Sequence, residues 1–189
     1  MTWIEPVAPE QANAELAPIY ARIASQSSSG RVSNLWQAWG GDASGLGTLH
    51  AHYRALMSEP APLTAAQAEM IAVVVSATNG CGYCVAHHGP RLARLVGDEL
   101  ARGVALDYRE ANLAARDRVL LDAAVALTCE PAERTQADVE RVREYGFDDA
   151  SILKATEIAA LYNLVNRVVS GLGVPLETGL EAWRYGAQK

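Results

Sequence analysis

Cysteine is scarce in this chain of 189 residues, which holds three, alongside four histidines, one phenylalanine and an aromatic share of 6%. Three cysteines are too few for the disulfide framework that stabilises small secreted domains. Positive charge is also thin. Sixteen Lys and Arg against 22 Asp and Glu leave a net charge of −6. No basic cluster exists that could neutralise a row of phosphates, which argues against a nucleic-acid partner. No apolar run approaches the roughly 20 residues of a membrane-spanning helix. The opening MTWIEPVAPE shows neither a basic n-region nor an apolar h-region, so no secretory signal is visible. The expectation is a cytoplasmic protein with no membrane partner. In that reducing compartment a C-x-x-C pair reads as catalytic or metal-binding ahead of a structural staple.

Half of the residues are hydrophobic, weighted to Ala, Leu and Val, and the length suits one domain with a substantial core. Helical periodicity with start and stop signals recurs along it. PEQANAELAPIYARIAS (9–25) reads as an amphipathic helix with Pro18 a candidate kink, and SQSSSG (25–30) as a short flexible break. Asp42 opens a second helix that Pro60 stops. Thr64 and Gln67 form a capping box for AAQAEMIAVVVSATN, which Gly80 ends. Further helices are expected over 97–106 and 109–129, after Thr135 up to Gly146, and from 149 to Gly171 or Gly173. The β-branched Val73–Val75 run would suit a strand, but its cap, length and flanks favour helix. The fold class expected is all-α, a single domain over 1–189: an N-terminal helical arm (1–60), a motif-bearing core (61–130) and C-terminal helices (131–189).

The scarce residues are not scattered. TNGCGYCVAHHGP, residues 78–90, gathers two of the three cysteines and two of the four histidines. If a helix starts near Cys81, then at 100° per residue Cys81, Cys84 and His88 fall within about 60° of one another. Both cysteines lie in the first turn, where free N–H groups and the helix dipole favour a thiolate. His88, one turn beyond Cys84, is a proton acceptor. His87 projects to one side and Tyr83 further round. On the preceding apolar helix Glu69 is costly to bury without a partner, and antiparallel packing across the Asn79-Gly80 turn brings it toward His88. A carboxylate raises imidazole basicity and fixes its tautomer. Glu69, His88, Cys84 and Cys81 then form a proton relay feeding a thiol. Pro90 should cut this helix to about two turns. Dipole arguments make Cys81 the lower-pKa thiol.

The spacing of Glu69, Cys81, Cys84 and His88 resembles the signature of the alkylhydroperoxidase D-like (AhpD-like) proteins of the carboxymuconolactone decarboxylase superfamily. YCVAHH and IAALYNLVNRVVSGLGVP resemble its peroxidase-related branch, so the likeness runs from about residue 60 onward. It implies an AhpD-like helical bundle assembled as a trimer or hexamer, with a hydroperoxide as substrate and an unidentified thiol/disulfide reductant protein as partner. No cofactor is implied beyond the redox-active Cys81–Cys84 dithiol, and no metal. In the mechanism it implies, Cys84 attacks the peroxide, Cys81 resolves the sulfenic acid to a disulfide, and Glu69 and His88 relay the proton. A histidine of the founding enzymes is replaced here by Tyr83, which removes one relay member.

Other readings accompany these. Cys81 and Cys84 could be buried small hydrophobes, or zinc ligands with His87 or His88 if semi-buried Cys129 folded back as a fourth. Lactone decarboxylation, the superfamily's other chemistry, needs no thiols. Val85 after the second cysteine excludes c-type haem attachment. Glu69 could be solvated, and Tyr83 could donate to substrate or simply pack, as could His87. Asn163 and Asn166 need partners in the active-site loop or at an interface. Trp36 and Trp39 would anchor the arm or line an entrance.

Overall fold

The structure, a computed structural model, describes residues 2–186. Its nine α-helices among those residues are α1 (Leu16–Gln26), α2 (Asn34–Ala38), α3 (Ala43–Met57), α4 (Ala65–Thr78), α5 (Gly82–Val96), α6 (Asp98–Asp107), α7 (Ala115–Cys129), α8 (Gln136–Glu144) and α9 (Asp149–Leu172). No strand occurs among the described residues, and the fold is all-α. None of the helices is long and apolar enough to cross a membrane.

Helix α4 is the axis of the molecule. Every residue from Gln67 to Ala77 is buried, because α5, α6, α7 and α9 all pack against it. That surround explains why its sequence lacks an amphipathic stripe and reads as apolar all round. Thr64 Oγ1 accepts the Gln67 N–H at 3.1 Å while Gln67 Oε1 accepts the Thr64 N–H at 3.0 Å, so the expected capping box is formed. At the other end Gly80 takes a φ of 70°, a conformation that costs glycine little. The turn is closed by the Cys81 N–H donating to the Ser76 carbonyl at 2.8 Å. This turn aims α5 back along α4.

Three local expectations need correction. The first helix begins at Leu16, not near Pro9. Asn13 Oδ1 captures the N–H groups of Glu15 and Leu16, an Asx-type start that competes with earlier helix. Pro18 then sits in the first turn, where its missing N–H is no loss, and causes no kink. Helix α5 also runs unbroken through Pro90. The residue before a proline is penalised through its Cβ, and Gly89 has none. Finally, α7 starts at Ala115, because the Arg118 guanidinium donates to the carbonyls of Tyr108 and Ala111 and fixes that stretch as turn.

A small second core of Leu16, Tyr20, Ile23, Val32 and Leu46 builds the N-terminal arm. Trp36, on the unforeseen α2, touches both cores and stands edge-on to His50 at 5.4 Å and Tyr53 at 5.9 Å between centroids. Trp39 lines a surface cleft with Ile4, Asp42, Arg167 and Leu172 that shares no residue with the cysteine pair.

The central placement of α4 sets a stability contrast. Ile71→Ala, at a fully buried position, is expected to cost about 2–5 kcal/mol. Leu153→Ala, on a side chain 60% exposed, should stay within about 0.5 kcal/mol. Urea unfolding at unchanged slope checks both. Equal effects would contradict the burial of α4.

Candidate active site

Cys81 is the N-cap residue of α5 and Cys84 lies in its first turn. Both are 2% exposed. Their sulfurs stand 2.7 Å apart as free thiols, inside the sum of their van der Waals radii. The environment makes them unlike. The Cys81 thiol is pulled below its ordinary value by hydrogen bonds from the Cys84 thiol, the Cys84 backbone N–H and the Asn166 amide, against the opposing effect of burial. Cys84 is pushed well up by its bond to Cys81, by burial and by the Cys81 charge. Both shifts favour ionisation at Cys81, at the helix N-terminus, as the dipole expectation has it.

Glu69, 8% exposed on α4, has the partner its burial demands: its Oε2 lies 2.7 Å from His88 Nδ1. Burial depresses the His88 pKa, and Arg91 and His87 add to the effect, while the Glu69 carboxylate opposes it. The ring is then neutral at neutral pH, with Nδ1–H donated to the carboxylate and Nε2 left as acceptor. That nitrogen does not meet a sulfur. The Tyr162 hydroxyl of α9 lies 3.0 Å from it, with the two rings edge to face at 4.8 Å. Tyr162 is buried, and its pKa is raised well above the usual phenol range, chiefly by burial. Glu69 and His88 are thus joined directly and the two cysteines directly, and Tyr162 occupies the other side of the imidazole.

Sequence reasoning missed Tyr162. Its spacing of four from Asn166 was the available signal, since the two share a helix face. Asn166 itself donates to the Ser76 hydroxyl at 3.0 Å. It also accepts from Asn79 Nδ2 at 3.0 Å, so its partner is the active-site turn.

Tyr83 and His87 face outward to a second carboxylate. Glu177 Oε1 accepts the Tyr83 hydroxyl at 2.7 Å and the Asn34 N–H at 2.8 Å, and its Oε2 accepts His87 Nε2–H at 2.7 Å. Those bonds outweigh partial burial and hold the Glu177 pKa at about 2. Burial and this carboxylate push the Tyr83 phenol up. Glu177 belongs to a strap, residues 174–186, that leaves α9 at Gly173 and returns over α5. Trp183 fills the space beside Gly89, beneath the Arg102 guanidinium at 4.5 Å. Tyr185 lies over Gly82 and donates to the Gly80 carbonyl at 3.0 Å. The strap covers the end of the helix that carries the dithiol. No sequence signal pointed to it, since it lacks periodicity and its contacts span about a hundred residues.

Cys129 is exposed at the end of α7, not semi-buried. Among the described residues no three His, Cys, Asp or Glu side chains are grouped to hold a metal ion.

A buried dithiol beside a carboxylate–imidazole pair in an all-helical bundle defines a class that the comparisons identify. Residues 46–97, which include all four of Glu69, Cys81, Cys84 and His88, match the carboxymuconolactone decarboxylase family. The chain is 31% identical to an uncharacterized peroxidase-related protein from Silicibacter sp. TM1040, over 97% of this chain and 96% of that one, with a TM-score of 0.85. It is 27% identical to an uncharacterized peroxidase-related protein with an alkylhydroperoxidase AhpD core from Ralstonia eutropha JMP134, over 94% and 93% of the two chains, at a TM-score of 0.84. The debrominase Bmp8, at 16% identity over 94% and 93%, shares the fold at a TM-score of 0.78. No curated protein matches. The chain belongs to the AhpD-like proteins of the carboxymuconolactone decarboxylase superfamily.

The strap's fastening sets two outcomes. A carboxylate depressed to about 2 from 4.5 stabilises the fold above its unfolded pKa, and that contribution is lost as pH falls from about 4.5 toward 2. Glu177→Gln should flatten the stability–pH curve in that window. Gly89→Ala, whose Cβ would overlap the Trp183 ring, should lift the strap and raise the iodoacetamide labelling rate of the pair several-fold. Unchanged labelling would show that the strap does not limit access.

Proposed function

We propose that this protein is a dithiol peroxidase that reduces hydroperoxides by converting Cys81 and Cys84 to a disulfide. The observation that carries the reading is the close sulfur pair on the helix that also carries a buried imidazole bonded to a carboxylate. The peroxidase-related names of two of the similar structures described above agree with it.

The Cys81 thiolate attacks one oxygen of the hydroperoxide. An S–O bond forms, the O–O bond breaks, and the alkoxide leaves as alcohol with a proton. With the charge on Cys81 discharged, His88 is the base for the Cys84 proton, and Glu69 stabilises the imidazolium that results. Cys84 then displaces hydroxide from the Cys81 sulfenic acid, and water leaves with the returned proton. Two thiols lose two electrons and the peroxide gains them. An external dithiol must return two electrons and two protons for turnover. The reverse order, with Cys84 attacking and Cys81 resolving, is what the family likeness implies. Assembly as a trimer or hexamer belongs to the same proposal.

Stoichiometric cumene hydroperoxide or hydrogen peroxide, followed by dimedone trapping and mass spectrometry, separates these orders. Wild type should consume one equivalent and form the Cys81–Cys84 disulfide. Cys84→Ser should be trapped as a Cys81 sulfenic acid at near the wild-type rate, and Cys81→Ser should react at least about tenfold more slowly. The opposite pattern establishes the reverse order. If neither peroxide oxidises the wild-type pair, the peroxidase reading is wrong.

A further inference from the structure

The mechanism above leaves unused a set of amides that ties α9 to the turn between α4 and α5. Asn79 is the C-cap residue of α4, two positions before Cys81. Its Nδ2 donates to Asn163 Oδ1 at 3.1 Å and to Asn166 Oδ1 at 3.0 Å, both on α9. Asn166, 1% exposed, donates from its own Nδ2 to Ser76 Oγ at 3.0 Å. The Ser76 carbonyl in turn accepts the Cys81 N–H at 2.8 Å. The segment that delivers the first sulfur is thus held to α9 at two points, Ser76 and Asn79.

Partners that cannot reverse fix the orientation of these amides. The Arg167 guanidinium, which can only donate, lies 2.7 Å from one end of the Asn163 amide, so that end is Oδ1. Its other end faces the Ala159 carbonyl at 3.0 Å, which can only accept. The Asn79 atom that meets Asn163 Oδ1 is therefore the NH2 group. The same nitrogen reaches Asn166, so the Asn166 atom it meets is oxygen and the Asn166 NH2 is left for Ser76. Asn163 Nδ2 also donates to Thr128 Oγ1 at 3.0 Å, which extends the clamp to α7.

We propose that Asn79 is a positioning residue for the dithiol: by fastening the turn to Asn163 and Asn166 it holds Cys81 against Cys84 in the reduced protein and so favours closure to the disulfide. Cys84 lies inside α5, where the helix fixes its backbone. Cys81 is only the N-cap, with a non-helical φ of −85° and ψ of 81°, so its place depends on the turn before it. Gly80 is exposed there, and a Cβ on it would meet nothing within 4 Å. Packing does not hold that point of the chain, and besides the α9 amides only the half-exposed Tyr185 hydroxyl bonds it, at the Gly80 carbonyl. A released turn gains conformational freedom in the reduced protein, whereas in the oxidised protein the disulfide itself restrains Cys81. The clamp therefore acts on the reduced form, and its loss makes closure less favourable.

This deepens the dithiol reading and rests on it only insofar as the pair cycles between two thiols and a disulfide, so the test contains no peroxide. Exposed Cys129 is first replaced by Ser in the full-length chain to leave the pair as the sole thiols. The protein is then equilibrated with mixtures of oxidised and reduced dithiothreitol. Two electrons and two protons pass from Cys81 and Cys84 to the oxidised reagent, and alkylation with mass spectrometry reads the closed fraction. Asn79→Ala is expected to lower the closure constant about tenfold, a rise of about 30 mV in reduction potential. Asn163→Ala, which removes one of the two acceptors, should lower it by a smaller factor. Asn79→Ala combined with Asn166→Ala should fall short of the product of the single effects, because both remove the same bond. A merely structural role would lower the melting temperatures of the oxidised and reduced forms alike and leave the constant in place. If Asn79→Ala fails to fold, Asn163→Ala decides. A change under about twofold in the folded variants, or a rise, overturns the proposal, as does a wild-type pair that never closes. A shifted constant in a chain that no peroxide oxidises would sink the peroxidase reading and leave this one standing. Peroxide oxidation with an unshifted constant would do the reverse.

Discussion

Two sulfurs 2.7 Å apart with almost no exposure cannot both carry charge. At most one of them ionises, and the surroundings decide which. The Cys81 position collects the helix N-terminus and the Cys84 N–H, whereas Cys84 is raised by its bond to Cys81, by burial and by the Cys81 charge. The asymmetry of the pair follows from where the α4–α5 turn deposits the first sulfur. That turn is set by Gly80 and by the Cys81 N–H bonded to Ser76.

The same packing explains why so many polar groups are tolerated along the most buried helix. Glu69, Ser76, His88 and Asn166 all lie within the core, and each has a partner. An apolar replacement at one of these would strand its neighbour, at a cost of about 1–3 kcal/mol for a neutral group and more for a charged one. Consecutive histidines on α5 divide the labour. His88 turns inward to a buried carboxylate and stays neutral, and His87 turns outward to Glu177 on the strap. One acid–imidazole pair is placed to move a proton, and the other ties down the segment that lies over the dithiol.

Features decided by neighbouring residues were legible in the sequence. The Thr64–Gln67 box, the Asp42 cap, the Gly80 and Gly173 stops and the shared face of Cys84 and His88 are all local, and each stands where its residue types put it. The all-α class followed from the same signals, and the Glu69–His88 contact followed from the cost of burying a lone carboxylate. Pro90 misled, because the penalty falls on a preceding Cβ and Gly89 has none. Tyr162 and Glu177 were not legible: they lie 74 and 90 residues from the histidines they contact. Nothing local marks a tyrosine on an apolar helix or a glutamate in an irregular tail as a partner for them.

The claim that most depends on this geometry is that the reduced pair ionises first at Cys81. Carbon-13 labelling of the cysteine β-carbons, with both resonances followed by NMR as the reduced wild-type protein is titrated, reads each sulfur separately. Cys81 should shift at a pH below the ordinary thiol range and Cys84 well above it. A Cys84 resonance that moves first, or two that move together at an unperturbed value, would contradict the account.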